Sequence, residues 1–350
     1  MSRARAEFRH FRISFGCVIL AAMMNPRLSS LEICAGAGGQ ALGLERADYE
    51  HVAAVELDAH AVGTLRLNRP HWNVLHQNVR EFDPLEFRGV DLFAGGVPCP
   101  PFSTAGKQLG AEDDRDLFPT ALDIVEAIKP AAVMLENVPG LATAKFERYR
   151  RTIATRLIRL GYEISWQVLN SCNFGVPQLR PRFILVALRP RATKHFEWPA
   201  AVSNPPTVGQ SLVSLMAAGH WPGALAWADR ASSVAPTLVG GSKLHGGPDL
   251  GPTRAREAWR QLGVDGRGLA DSPPTSDFPV DGFPRLTLRM AARIQGFPDD
   301  SQFFGKKTAA YRQIGNAFPP PVAAAVGIAI RDALSGVHAK RRTPQVALFG

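Results

Sequence analysis

Short apolar runs recur along this chain, each ending on glycine or a polar residue, with amphipathic stretches between them. Leu31-Glu32-Ile33-Cys34-Ala35, residues 51–55, Val74-Leu75-His76, residues 90–94, Ala132-Val133-Met134-Leu135, residues 162–170 and residues 183–188 each read as a buried strand. Residues 40–46, 117–128 and 146–160 read as the helices between them. This alternation predicts an α/β fold of the Rossmann-like kind, which places ligands beyond the carboxyl ends of its strands. From residue 195 to 284 the rhythm fades and Gly, Pro and Ser become more frequent, so a smaller, irregular second domain is expected there. The pattern returns at 285–335, where 321–334 reads as an apolar helix packing beside the first strand. The expected division is therefore 28–194 and 285–335 for the main domain, 195–284 for the inserted one, and 336–350 for a tail.

The strand ends carry the chemistry. After the first strand comes Gly36-Ala37-Gly38-Gly39, where glycines let the backbone approach a ligand and the next helix presents its N-terminal amides. The spacing differs from the dinucleotide G-x-G-x-x-G, because position 41 is Ala. The second strand ends Glu56-Leu57-Asp58, an acidic group about 20 positions on, placed for ribose hydroxyls. Asn78 and Val79 sit at the tip of the third. The run at 90–94 meets Gly95-Gly96, read as a break, and then a Pro-rich turn presenting Cys99. A lone cysteine is ordinarily buried and inert. Here the following strand ends on Glu136, so a thiol and an acid share one sheet edge, as nucleophilic attack with proton donation requires. Arg180 and Arg182, at i and i+2, place both side chains on one side of an extended segment and suit a phosphate or a pyrimidine carbonyl.

Charge and cysteine content narrow the partners. Lys and Arg outnumber Asp and Glu by 40 to 31, a formal +9, which favours a polyanion. The four cysteines show no C-x-x-C spacing, so neither a metal site nor a disulfide framework is indicated and a reducing cytoplasm fits. Residues 1–27 combine arginines with an apolar run at 17–24 too short to span a bilayer, so no membrane association is expected. They read as a disordered extension, with Met23 or Met24 as a natural start.

Pro98-Cys99-Pro100-Pro101-Phe102-Ser103, Glu136-Asn137-Val138-Pro139-Gly140 and Gln178-Leu179-Arg180-Pro181-Arg182 follow the glycine loop in that order. With Gln295-Gly296-Phe297-Pro298 and Gln313-Ile314-Gly315-Asn316-Ala317, they resemble the DNA (cytosine-5)-methyltransferases of bacterial restriction-modification systems over about residues 28–335. The resemblance implies a sheet that binds S-adenosylmethionine and an inserted domain that recognises double-stranded DNA. It makes Cys99 the nucleophile on C6 of a flipped cytosine and Glu136 the acid at N3, with Arg182 and Arg180 supporting the base. The cofactor would lie along Cys34, Ala35, Gly36, Gly38 and Gly39, with Glu56 and Leu57 at the ribose. Asn78 and Val79 would stand near the adenine, and Asn316 and Ala317 at the methionine end. Cys34 and Asn78 depart from the family's usual aromatic and Asp, which bears on adenine binding.

Ser103, Lys243, His245, Arg254 and Arg256 are candidate DNA contacts, with Arg260 and Arg267 nearby. The resemblance also implies a monomer, protection of host DNA and a possible cognate endonuclease. A tRNA cytosine-5 methyltransferase and a non-catalytic DNA-binding relative are the competing readings, while a dehydrogenase leaves Cys99 unexplained.

Overall fold

The computed structural model describes residues 27–98, 116–202, 204–241 and 247–336. Cys99, Ser103, Lys243 and His245 lie outside the described residues, as do nearly all of the expected N-terminal extension and the tail from 337. Seven strands form one sheet in the order β3-β2-β1-β4-β5-β7-β6. They are β1 (Leu28–Ile33), β2 (Tyr49–Glu56), β3 (Val74–His76), β4 (Leu92–Gly96), β5 (Ala132–Asn137), β6 (Glu163–Asn170) and β7 (Pro181–Leu188). The first five pair in parallel; β7 runs antiparallel to both β5 and β6.

Helices α1 (Gly39–Arg46), α2 (Ala59–Asn68), α3 (Phe118–Ile128) and α4 (Glu147–Arg159) follow strands in turn, and α5 (Pro190–Thr193) is a single turn after β7. The two-residue period of β4 shows how the sheet is buried. Phe93 points into the core shared with α3 and α4, while Leu92 and Ala94 join the opposite core.

Strand β4 corrects one expectation. It begins at Leu92 and runs through Gly95 and Gly96, so the glycine pair continues the ladder and does not break it. A Cβ on Gly95 would stand 2.8 Å from the Ile33 carbonyl oxygen, so only glycine lets β4 lie this close to β1 there.

The segment after β7 is more regular than its composition implies. It holds α6 (Val208–Met216), α7 (Ala224–Arg230) and α8 (Thr253–Gln261). Helix α6 starts with a capping box, Thr207 Oγ1 accepting from Gln210 N while Gln210 Oε1 accepts from Thr207 N. Trp227 and Trp259 are fully buried in this lobe, and Trp227 Nε1 donates to the Gly263 carbonyl at 3.1 Å. Three aromatic anchors, Trp221 being the third, supply the apolar area that Gly- and Pro-rich sequence otherwise lacks.

The chain then returns through α9 (Leu288–Ile294) and α10 (Lys307–Asn316) to α11 (Pro320–Leu334). The last helix covers α1 as well as the sheet, going beyond the simple packing against the first strand that its sequence suggested. Cβ atoms on Gly43 and Ala323 would stand 2.5 Å apart if Gly43 were Ala, and Tyr49 Oη donates to the Gly327 carbonyl at 3.2 Å.

Candidate active site

A cavity of about 450 Å³ opens along the carboxyl edge of β1, β2, β4 and β5. Its floor is the loop after β1. Cys34 and Gly36 adopt positive φ (52° and 54°), turning the backbone so that Gly36 N donates to Glu56 Oε2 at 2.7 Å. The other carboxylate oxygen of Glu56 accepts from Leu57 N at 2.8 Å and Asp58 N at 2.7 Å. Three amides thus fix this side chain at the pocket wall.

Cys34, Ala35, Gly36, Gly39, Glu56, Leu57, Asn78, Val79, Asn316 and Ala317 all line the cavity. Gly38 does not; it caps α1 at φ 82° and packs against Leu65, so its part is conformational. Gly39 is needed for a different reason: a Cβ there would meet the Phe318 carbonyl oxygen at 2.2 Å. Burial pushes the Cys34 thiol up to about 12, with Glu56 and Glu32 adding to the effect, so this cysteine is a packing residue near neutral pH.

Glu32 belongs to the same wall and escaped the sequence reading. It is 1% exposed, it lines the cavity, and its Oε2 has no partner among the described residues. Desolvation, reinforced by Glu56, holds its carboxyl well above the usual range. A buried, unpaired acceptor facing a cavity suits a cationic ligand group. Its signal was an acidic residue inside an otherwise apolar strand.

At the other end of the cavity, β4 and β5 bring Gly96 level with Glu136. Arg182 Nε lies 2.8 Å from Glu136 Oε1, and both side chains are about one-eighth exposed, at 12% and 13%. Burial raises the Glu136 carboxyl above its ordinary value against the opposing pull of Arg182 and Arg180. Such a group retains a proton to give at higher pH than a free carboxyl.

Just before Cys99 the chain is pinned. Asn137 Nδ2 donates to the Val97 carbonyl at 2.7 Å, Leu117 N donates to the Pro98 carbonyl at 3.2 Å, and Pro98 lines the cavity.

Arg180 departs from the expectation that it grips substrate beside Arg182. It is 1% exposed, and its terminal nitrogens donate to the carbonyls of Leu238 and Gly315, each at 2.8 Å. Nε has no partner among the described residues.

The other basic candidates divide. Arg254 is exposed on α8, whereas Arg256 lies half-buried on the same helix, with Nη2 donating to Thr253 Oγ1 at 3.3 Å. Arg267 pairs with Asp265 at 2.9 Å and Arg260 stacks on Phe283 at 5.0 Å, so both serve the lobe itself.

Residues 28–236 and 253–332 match the family of C-5 cytosine-specific DNA methylases. The chain belongs to that family. Among its relatives, the Type II methyltransferase M.NaeI of Lentzea aerocolonigenes is 55% identical over 88% of this chain and 76% of its own length. M.NgoMIV of Neisseria gonorrhoeae is 52% identical, over 88% and 98% respectively. The fold of this methylase is shared by Spodoptera frugiperda DNMT2, with a TM-score of 0.62 at 18% identity, covering 87% of this chain and 99% of that one. Entamoeba histolytica EhMeth gives a TM-score of 0.64 at 16% identity, covering 89% and 99%. The stretch 237–252 falls outside the family match.

Proposed function

We propose that this methylase transfers a methyl group from S-adenosylmethionine to C5 of a cytosine swung out of double-stranded DNA, through a covalent bond between Cys99 and C6. The nearly buried Glu136–Arg182 pair beside Gly96 carries this reading, because a carboxyl that burial raises, level with the end of the strand that leads to Cys99, suits a proton donor. The cavity suits the cofactor: Glu56 is fixed for the ribose and Glu32 offers an unpaired acid to the ammonium group. When bound, the cofactor supplies an electrophilic methyl on sulfur.

The protein's own groups do the rest. Thiolate from Cys99 adds to C6 while Glu136 gives its proton to N3, so the ring's electron pair collects at C5 as an enamine. C5 takes the methyl, a base removes the C5 proton, and elimination returns thiolate to Cys99 and the proton from N3 to Glu136. Thiolate suits this role because a few per cent is ionised near neutrality and it is strongly nucleophilic. The target base must leave the duplex stack to reach the pocket.

Relatives that are more than half identical and named as Type II methyltransferases support DNA over tRNA, and a role in protecting host DNA alongside a cognate endonuclease. The action is cytoplasmic and the protein a monomer. Bisulfite sequencing of plasmid from an expressing host reads the modified cytosine directly. A duplex carrying 5-fluorocytosine at that site forms a stable adduct with the wild type. Cys99→Ser forms none and loses turnover by orders of magnitude while still binding DNA; an adduct through any other residue overturns the mechanism.

A further inference from the structure

Three distant parts of the chain meet at a buried polar junction. Gln178, fully buried, accepts from Leu238 N through Oε1 at 2.8 Å and donates through Nε2 to Gln295 Oε1 at 2.8 Å and the Ile294 carbonyl at 3.2 Å. Gln295, equally buried, donates onward to the Ala317 carbonyl at 2.5 Å. Arg180 spans the same gap, one terminal nitrogen on Leu238 and the other on Gly315.

Backbone contact reinforces these bonds. Leu179 N donates to the Ala235 carbonyl and Ala235 N to the Pro177 carbonyl, both at 2.8 Å. Thr237 Oγ1 donates to the Leu179 carbonyl at 2.5 Å. Gly240 lies against the end of α10 so closely that a Cβ there would meet the Arg312 carbonyl oxygen at 2.5 Å; one on Gly315 would meet Gly240 N at 2.4 Å.

What the junction joins is informative. Residues 235–241 lead in sequence directly to Lys243 and His245. Asn316 and Ala317 line the cofactor cavity. Arg180 precedes Arg182, the partner of Glu136, by two residues. The bonds made by Gln178 and by the terminal nitrogens of Arg180 are buried, so a shift of the recognition segment either carries the other two with it or leaves buried groups unpaired.

We propose that this junction, with Arg180 as its central positioning residue, is the link through which engagement of DNA by the inserted segment tightens the cofactor site. Binding linkage is reciprocal, so cofactor must strengthen DNA binding by the same factor as DNA strengthens cofactor binding. Arg180 in this role acts through carbonyl oxygens and touches neither base nor cofactor. The proposal rests on the methylase reading above.

The test measures S-adenosylhomocysteine affinity by calorimetry, with and without a duplex bearing the site that the wild type methylates. The wild type shows a coupling ratio within about 5–150-fold, the usual range. Arg180→Lys, which keeps the charge but cannot reach both carbonyls, brings the ratio close to one while affinity for the homocysteine analogue alone stays within about twofold of wild type. Thr237→Val removes one exposed bond, leaves the buried ones in place, and gives an intermediate ratio.

A wild-type ratio of one, or a wild-type ratio retained in both variants, overturns the proposal. A lower kcat in Arg180→Lys at unchanged coupling also overturns it and assigns Arg180 to the base instead. Failure of the wild type to methylate DNA would defeat the functional reading itself, which the same preparation checks first.

Discussion

Glu136 and Arg182 form a nearly buried ion pair in which the carboxyl stays above its usual range although a guanidinium sits 2.8 Å away. Desolvation outweighs attraction, and the acid keeps its proton available. The rate of methyl transfer should therefore fall as pH rises through the raised Glu136 value, opposing the gain from ionising Cys99. A bell-shaped profile of single-turnover rate against pH is expected. Glu136→Gln cannot give a proton and should lose about 10²–10⁴-fold in rate, with its alkaline limb abolished.

Gly96 faces this acid across the ladder. A methyl at residue 96 would stand 3.3 Å from Glu136 Oε2, tight enough to move the carboxylate. Gly96→Ala should lower kcat by at least about tenfold while Tm changes by only a few degrees, since misplacement of a reacting group by a fraction of an ångström is costly. Steady-state kinetics beside a thermal melt separate the two effects.

Glu56 holds three backbone amides as well as facing the cavity. Hydrogen bonds to a charged group contribute about 1.5–3 kcal/mol each, and less where water reaches them, as it does at Leu57 N. Glu56→Ala should weaken cofactor binding by more than about tenfold and leave DNA binding in the absence of cofactor nearly unchanged, as calorimetry with each ligand alone will show.

Glu32 makes the ligand-free protein sensitive to pH. Its folded carboxyl is raised, so between its ordinary value of 4.5 and the raised one the unfolded chain binds fewer protons than the folded chain. Stability should accordingly fall as pH rises from about 4.5 and level off once the folded group ionises. In the wild type one such proton tilts the unfolding free energy by at most about 1.4 kcal/mol for every pH step of one. Urea unfolding of Glu32→Gln across the same pH range should show a shallower slope, the remainder coming from Glu136, whose carboxyl burial also raises.

The sheet was legible because its strands are apolar runs punctuated by glycine and acid, and those same punctuation marks fall at the pocket. Strand β4 was misplaced because Gly95 and Gly96 read as a break, when close approach to Ile33 and Glu136 requires them inside the ladder. Helix α8 was hidden because arginine and alanine dominate it and it buries Trp259 alone. Glu32 was passed over as part of an apolar run. Gln178 and Gln295 stand in two of the motifs, but nothing in sequence pairs them, since their hydrogen bond joins residues 117 positions apart and depends on the finished fold. Arg180 sits two residues from Arg182, which suggests a shared task, but only the finished fold shows its terminal nitrogens on the carbonyls of Leu238 and Gly315.

The contact between Gly39 and the Phe318 carbonyl also has a temporal meaning. During synthesis the glycine loop emerges before the inserted lobe and the Phe318 wall after it. A ribosome-bound chain halted before residue 318 lacks part of the wall of the cavity. The cavity is therefore completed only after the inserted lobe has been made.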